Sequence, residues 1–177
     1  EFVKSILETK SDNGNSVLDY LSQFKLPELV NLLNSLSSEI VEHVLFLNMR
    51  SKEPLIEYFI RDIDRQPYLE DILRACDPQT VANILSTKRS YAAFEKQSSI
   101  AFYLAKHDPD FLFNNLNTLP GDTLVGLLTQ KNYTGTFRSK SVLARWVKYF
   151  HNDSGRLKKI PMQLEATHLI RLGIRFR

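Results

Sequence analysis

The chain has 177 residues, 43% of them hydrophobic and 11% aromatic, which is enough apolar material for a packed core and excludes an intrinsically disordered or low-complexity protein. Its net charge of +3 hides an uneven distribution: residues 1–80 carry 14 acidic and 8 basic side chains, a net of −6, whereas 81–177 carry 6 acidic and 15 basic, a net of +9. The longest unbroken apolar run, Ile100 to Ala105, is far short of the roughly 18 residues that would cross a bilayer, so no transmembrane segment is expected.

In chain order, an early copy of a repeat is expected near 17–62. Within it Tyr20-Leu21 matches the later Tyr68-Leu69, Pro27 matches Pro78, and Leu55, Tyr58 and Phe59 match Ile100, Tyr103 and Leu104. Residues Ser38 to Asn48 read as an additional helix inserted in this copy, with Ile40, Val44 and Leu47 on one face and Ser37 or Ser38 as its cap. The clearest internal match follows. Residues 68–107 align without a gap on 111–150, with eight identical pairs that include Leu69/Leu112, Leu85/Leu128, Lys88/Lys131 and Phe94/Phe137. Apolar positions correspond at helical spacing: Val81, Ile84 and Leu85 answer Leu124, Leu127 and Leu128, and Ile100, Tyr103 and Leu104 answer Leu143, Trp146 and Val147. Asp77-Pro78 and Asp108-Pro109 have the form of an N-cap followed by the first helical residue. The expected repeats are therefore 17–62, 66–107, 109–150 and a partial copy over 156–177, each built of helices, with no segment alternating strongly enough to predict a sheet.

Three helices in about 43 residues, repeated in tandem, resemble the armadillo and HEAT superfamily of α-solenoids. That resemblance implies an all-α, right-handed helical-repeat array of three to four repeats that binds partners along an extended ridge. A globular helical bundle with internal self-similarity is the alternative. The chain begins at Glu1 without an initiator Met and is expected to be part of a longer protein.

No motif for chemistry emerges. The four histidines form no ligand pair at i, i+4; His107-Asp108-Pro109-Asp110 and His151-Asn152-Asp153 fall at helix ends, where dipole and capping roles explain them. The six glycines are dispersed, so no phosphate-binding loop is expected, and carboxylate pairs such as Asp62/Asp64 and Glu70/Asp71 read as solvated helix faces. Neither a catalytic residue, a metal, a cofactor nor a small-molecule substrate is expected. The single cysteine, Cys76, excludes an internal disulfide and favours a reducing cytoplasmic or nuclear compartment.

The basic half offers the strongest functional signal, with the acidic half as a second candidate interface. From 131 onward 11 basic residues face two acidic ones. Lys88-Arg89-Ser90-Tyr91 and Lys131-Asn132-Tyr133 occupy equivalent places in consecutive repeats, so stacking would set them in a row. Arg138 and Lys140 follow, and Arg145 and Lys148, spaced i, i+3, are expected on the open face of the next helix. Lys88, Arg89, Tyr91, Lys131, Tyr133, Arg138, Lys140, Arg145 and Lys148 are thus the candidate partner-binding residues. An acidic peptide or domain suits them; nucleic acid is the alternative, since basic groups beside aromatics can also track a phosphate backbone. A base-excision-type enzyme on a HEAT-like scaffold is the remaining, lesser reading.

Overall fold

The computed structural model describes residues 2–88, 98–133 and 139–145. Those residues are predominantly helical, and they fall into two compact units, Glu1–Thr80 and Val81–Arg177.

The first unit holds α1 (Phe2–Glu8), α2 (Val17–Phe24), α3 (Leu26–Asn34), α4 (Ser38–Leu45), α5 (Leu55–Ile60) and α6 (Gln66–Ala75), and ends within α7 (Pro78–Ser86). Local sequence explains where these helices start. Ser16 accepts a hydrogen bond from Asp19 N at 3.0 Å while the Asp19 carboxylate takes the Ser16 N–H at 2.8 Å, a reciprocal capping box. Pro27 and Pro67 lie in the first turns of α3 and α6, where no intrahelical donor is lost. Asp77 accepts from Thr80 N at 2.9 Å at the head of α7. Helices α3, α4 and α6 each bury one stripe: Leu29 and Leu33, Val41, Val44 and Leu45, and Leu69, Ile72 and Leu73, at spacings of three and four. These stripes meet where α3 packs on α6, α2 on α3, and α5 on α6.

The second unit continues with α8 (Ile100–His107), α9 (Pro109–Leu116) and α10 (Gly121–Thr129), then the antiparallel strands β1 (Lys131–Tyr133) and β2 (Ser139–Ser141), and a helical turn at 142–145. Its described core includes Ile84, Leu85, Ile100, Phe102, Leu104, Leu112, Leu128 and Val142. Ser99 caps α8 through Phe102 N at 3.2 Å, Asp108 caps α9 through Phe111 N at 3.0 Å, and Ser141 caps the turn at 142–145 through Ala144 N at 3.1 Å.

A β-bridged hairpin precedes every leading helix. Antiparallel bridges Lys10↔Ser16, Asn48↔Pro54 and Lys88↔Ser99 precede α2, α5 and α8, and the β1–β2 pair, in register Lys131↔Ser141, precedes 142–145. The closing hydrogen bond recurs as well, from Val17 N to Thr9 O (3.2 Å), Leu55 N to Leu47 O (3.0 Å) and Ile100 N to Thr87 O (3.4 Å). Along the chain the order is therefore hairpin, leading helix, middle helix, closing helix.

This order differs from expectation in one way. Strands exist although no alternation announces them, because three-residue strands carrying Lys, Asn and Tyr, or Ser and Lys, offer no apolar face to alternate. The separate helix expected within Ser38 to Asn48 is α4, Ser38–Leu45.

Candidate functional site

Lys88 opens the third hairpin and Lys131 the fourth. The Lys88 ammonium donates to the Lys131 carbonyl at 2.7 Å, so the structure brings together these two residues 43 positions apart. Two further contacts lay the hairpins side by side. Ser99 N donates to Asn132 Oδ1 at 2.6 Å, and Gln130 Nε2 donates to Ser86 O at 2.9 Å. Asn132 is buried and also gives its Nδ2 hydrogen to Gln130 O at 3.0 Å, so its amide is the rivet between hairpins. Lys140 pairs in register with Asn132 and is exposed, as are Lys88 and Lys131.

Arg145 departs from expectation. Its guanidinium lies over the buried Phe102 ring, 4.1 Å from the centroid, and the residue is half-buried instead of standing on an open helix face. The cause is the contact itself, in which the guanidinium is drawn onto the face of the Phe102 ring on α8. Tyr133 is placed by its backbone at the end of β1. Arg89, Tyr91, Arg138 and Lys148 lie outside the described residues.

The first unit uses the same arrangement with other chemistry. Arg50, in the second hairpin, donates its N–H to Asp19 Oδ1 at 2.7 Å and its Nη1 hydrogen to Asn15 Oδ1 of the first hairpin at 2.8 Å. Tyr58 on α5 donates its hydroxyl to Ser22 O on α2 at 2.8 Å, and Ser38 on α4 accepts from Asp77 N, which precedes α7, at 3.0 Å. Burial pushes the Asp19 carboxyl up, but hydrogen bonds from the Arg50 and Ser16 N–H groups and the Ser16 hydroxyl outweigh it and leave the carboxyl below its ordinary value. Glu57, equally buried, pairs with Arg61 at 2.7 Å, and Arg61 reaches Glu53 at 2.6 Å with its other nitrogen.

Neither Asp19 nor Glu57 stands out in sequence as a buried charge. The signal that could have found them is the segment after each bridge: Ser16-Val17-Leu18-Asp19-Tyr20-Leu21, Pro54-Leu55-Ile56-Glu57-Tyr58-Phe59, Ser99-Ile100-Ala101-Phe102-Tyr103-Leu104 and Ser141-Val142-Leu143-Ala144-Arg145-Trp146. Asp19, Glu57, Phe102 and Ala144 share its fourth position.

Other candidate groups have local structural roles. Arg74 bridges Glu70 and Asp71 at 3.0 and 3.4 Å, Arg65 pairs with Asp62 at 3.1 Å, and His107 stacks on Tyr103 at 4.3 Å. Cys76 is half-buried, and its thiol, donating to Ile72 O at 3.3 Å, is pushed up to about 11 by burial and by nearby Asp77. Among the described residues no group of three or more His, Cys, Asp or Glu side chains could hold a metal ion, and no helix is long and apolar enough to cross a membrane. Compared with known protein families, curated proteins and solved structures, the chain matches none.

Proposed function

We propose that the chain is a non-enzymatic protein-interaction scaffold, an armadillo/HEAT-like array of three-helix repeats, and that it binds an acidic peptide or domain along the basic hairpins of its C-terminal half. The observation that carries this reading is the juxtaposition of Lys88 and Lys131 at equivalent hairpin positions, with exposed Lys140 on the same fourth hairpin. Exposed lysines gathered on adjoining hairpins are matched by carboxylates on a partner.

Support for the repeat array lies within each unit. In the first, α3 packs on α6, α2 meets α5 through Tyr58, α4 meets the head of α7 through Ser38, and the first hairpin meets the second through Arg50. In the second, the third hairpin meets the fourth, and Phe102 meets Arg145. Every such contact joins an element to its counterpart one repeat on, as nearest-neighbour stacking requires. We place the scaffold in a reducing intracellular compartment, on the ground that Cys76 is a free thiol.

Fluorescence anisotropy tests the binding. A labelled Glu/Asp-rich peptide should bind the chain at low salt, and Lys88→Glu/Lys131→Glu/Lys140→Glu should weaken it at least tenfold with an unchanged circular dichroism spectrum. Tighter binding of single- or double-stranded oligonucleotides, with a steep salt dependence, would favour the nucleic-acid reading instead. The array is tested apart from its ligand by solution scattering: a globular chain of this length has a radius of gyration of about 16 Å, which a stacked array should exceed.

A further inference from the structure

The loop of the first hairpin reads Ser11-Asp12-Asn13-Gly14-Asn15, and Asn13-Gly14 is the one Asn-Gly pair in the chain. Glycine serves the turn, which needs a positive φ that it adopts without strain, and Gly14 stands at φ +76°. The same missing side chain has a chemical consequence. A backbone nitrogen whose own residue carries no Cβ can approach the preceding side-chain carbonyl closely, and nothing lies within 4 Å of where a Gly14 Cβ would stand. Asp12, Asn13 and Gly14 are all exposed, so water reaches both the amide that must lose a proton and the side chain it attacks. The Asn13 carboxamide makes no hydrogen bond to a described residue, and the Gly14 N–H donates to Ser11 O at 2.8 Å within the exposed turn.

Comparison with other asparagines sharpens the assignment. Asn115 and Asn132 are buried, with Nδ2 hydrogens given to Phe111 O and Gln130 O. Asn15 offers its Oδ1 to Arg50, and the Ser16 N–H that follows it is committed to the Asp19 carboxylate at 2.8 Å. Asn34 and Asn83 lie in α3 and α7, and the residues after them, Ser35 and Ile84, carry side chains. Asn13 alone of these combines exposure, an uncommitted carboxamide and a following glycine.

We propose that Asn13 is a self-modifying site, at which the first hairpin converts its own tip from a carboxamide to a carboxylate through a succinimide. The Gly14 nitrogen gives its proton to water and attacks Asn13 Cγ; the N–Cγ bond forms, the bond from Cγ to Nδ2 breaks, and the nitrogen leaves as ammonia. The five-membered ring then takes up one water at either of its carbonyls. Opening at one leaves aspartate, and opening at the other leaves isoaspartate, whose main chain runs through the former side chain and is one carbon longer. The balance is one water consumed and one ammonia released, with no change of oxidation state, and it is the thermal lability of asparagine concentrated at one residue. Both products add a negative charge to a stretch already at −6 over residues 1–80. Isoaspartate also lengthens the main chain between Ser11 and Asn15, the residue that holds Arg50 of the second hairpin. The inference needs neither the acidic ligand nor the repeat reading.

Incubation of the 177-residue chain at pH 8, followed by peptide mapping in a mass spectrometer, tests it. The peptide spanning Asn13 should gain the mass difference between NH2 and OH and should split into two products, aspartate and isoaspartate, told apart by fragmentation. The half-time should be at least tenfold shorter than at Asn34. Gly14→Ala should lengthen it at least tenfold with an unchanged circular dichroism spectrum. If that change distorts the turn, Asn13→Gln keeps the glycine in place and should abolish the gain, because the longer side chain must close a six-membered ring. The proposal is overturned by a chain that gains no mass at Asn13, gains it no faster than at Asn34, or yields aspartate without isoaspartate. A gain as fast in Gly14→Ala as in the wild type overturns it too. Both variants should still bind the acidic peptide, so either reading can fail alone.

Discussion

The two units fill one local position, the third residue of α2, α5 and α8, with opposite chemistry. The first unit buries there the carboxylates of Asp19, which accepts the Arg50 N–H, and of Glu57, paired with Arg61 one turn further on, where the second buries the Phe102 ring under Arg145. Hairpins are joined through Arg50, Asn15 and Asp19 in the first unit and through the neutral amide of Asn132 in the second. Each unit thus meets a similar local need with its own donor and acceptor. A charged fastening ties stability to pH, and a neutral or aromatic one does not.

Breaking the aromatic fastening should have the largest effect. Phe102→Ala removes a fully buried ring and the surface under Arg145, and should cost about 3–5 kcal/mol in urea denaturation. Asp19→Ala follows, at about 2–3 kcal/mol, because the Arg50 and Ser16 N–H groups lose a charged acceptor. The carboxyl is held below its ordinary value in the folded chain, so its contribution is complete above the unfolded value near 3.8 and disappears as pH falls through the lower folded value. Acid titration followed by circular dichroism should show that loss in the wild type and a flatter profile in Asp19→Asn. Asn132→Ala should cost about 1–3 kcal/mol with no comparable acid dependence, since it strands the Ser99 donor without removing a charge. Smaller and opposite in sign, Lys52→Gly should stabilise by about 0.5–1 kcal/mol, for Lys52 sits at φ +64° in the left-handed region. Cys76 should barely register in stability but should react slowly with thiol reagents at pH 8, where a group near 11 is only about 0.1% thiolate.

Much of the helical layout was legible. Asp77 and Asp108 announce their caps, and the ungapped match of 68–107 to 111–150 pairs α6 with α9, α7 with α10, and the third hairpin with the fourth. The antiparallel bridges were not legible, because the spans they close differ: five residues separate Lys10 from Ser16 and Asn48 from Pro54, but ten separate Lys88 from Ser99. The approach of Lys88 to Lys131 was legible because identity and spacing agreed there. Arg145 was misplaced since helical periodicity assigns a face but cannot say that the Phe102 ring of α8 lies against it. Asp19 and Glu57 escaped notice because a carboxylate in a first helical turn has the same local pattern whether water or an arginine receives it.

The two short loops, 11–15 and 49–53, are built alike. Ser11 N bonds Asn15 O and Met49 N bonds Glu53 O, each at 2.8 Å; Gly14 N bonds Ser11 O and Lys52 N bonds Met49 O; and Gly14 and Lys52 share a positive φ. The bridge and closing bond at their base recur in the third hairpin, whose loop is twice as long. Lengthening a closed loop costs only about 0.6 kcal/mol per doubling. The base of each hairpin is therefore a socket in which chain can be inserted or exchanged while the helices on either side keep their places, and specificity could be rewritten at these tips without rebuilding the framework.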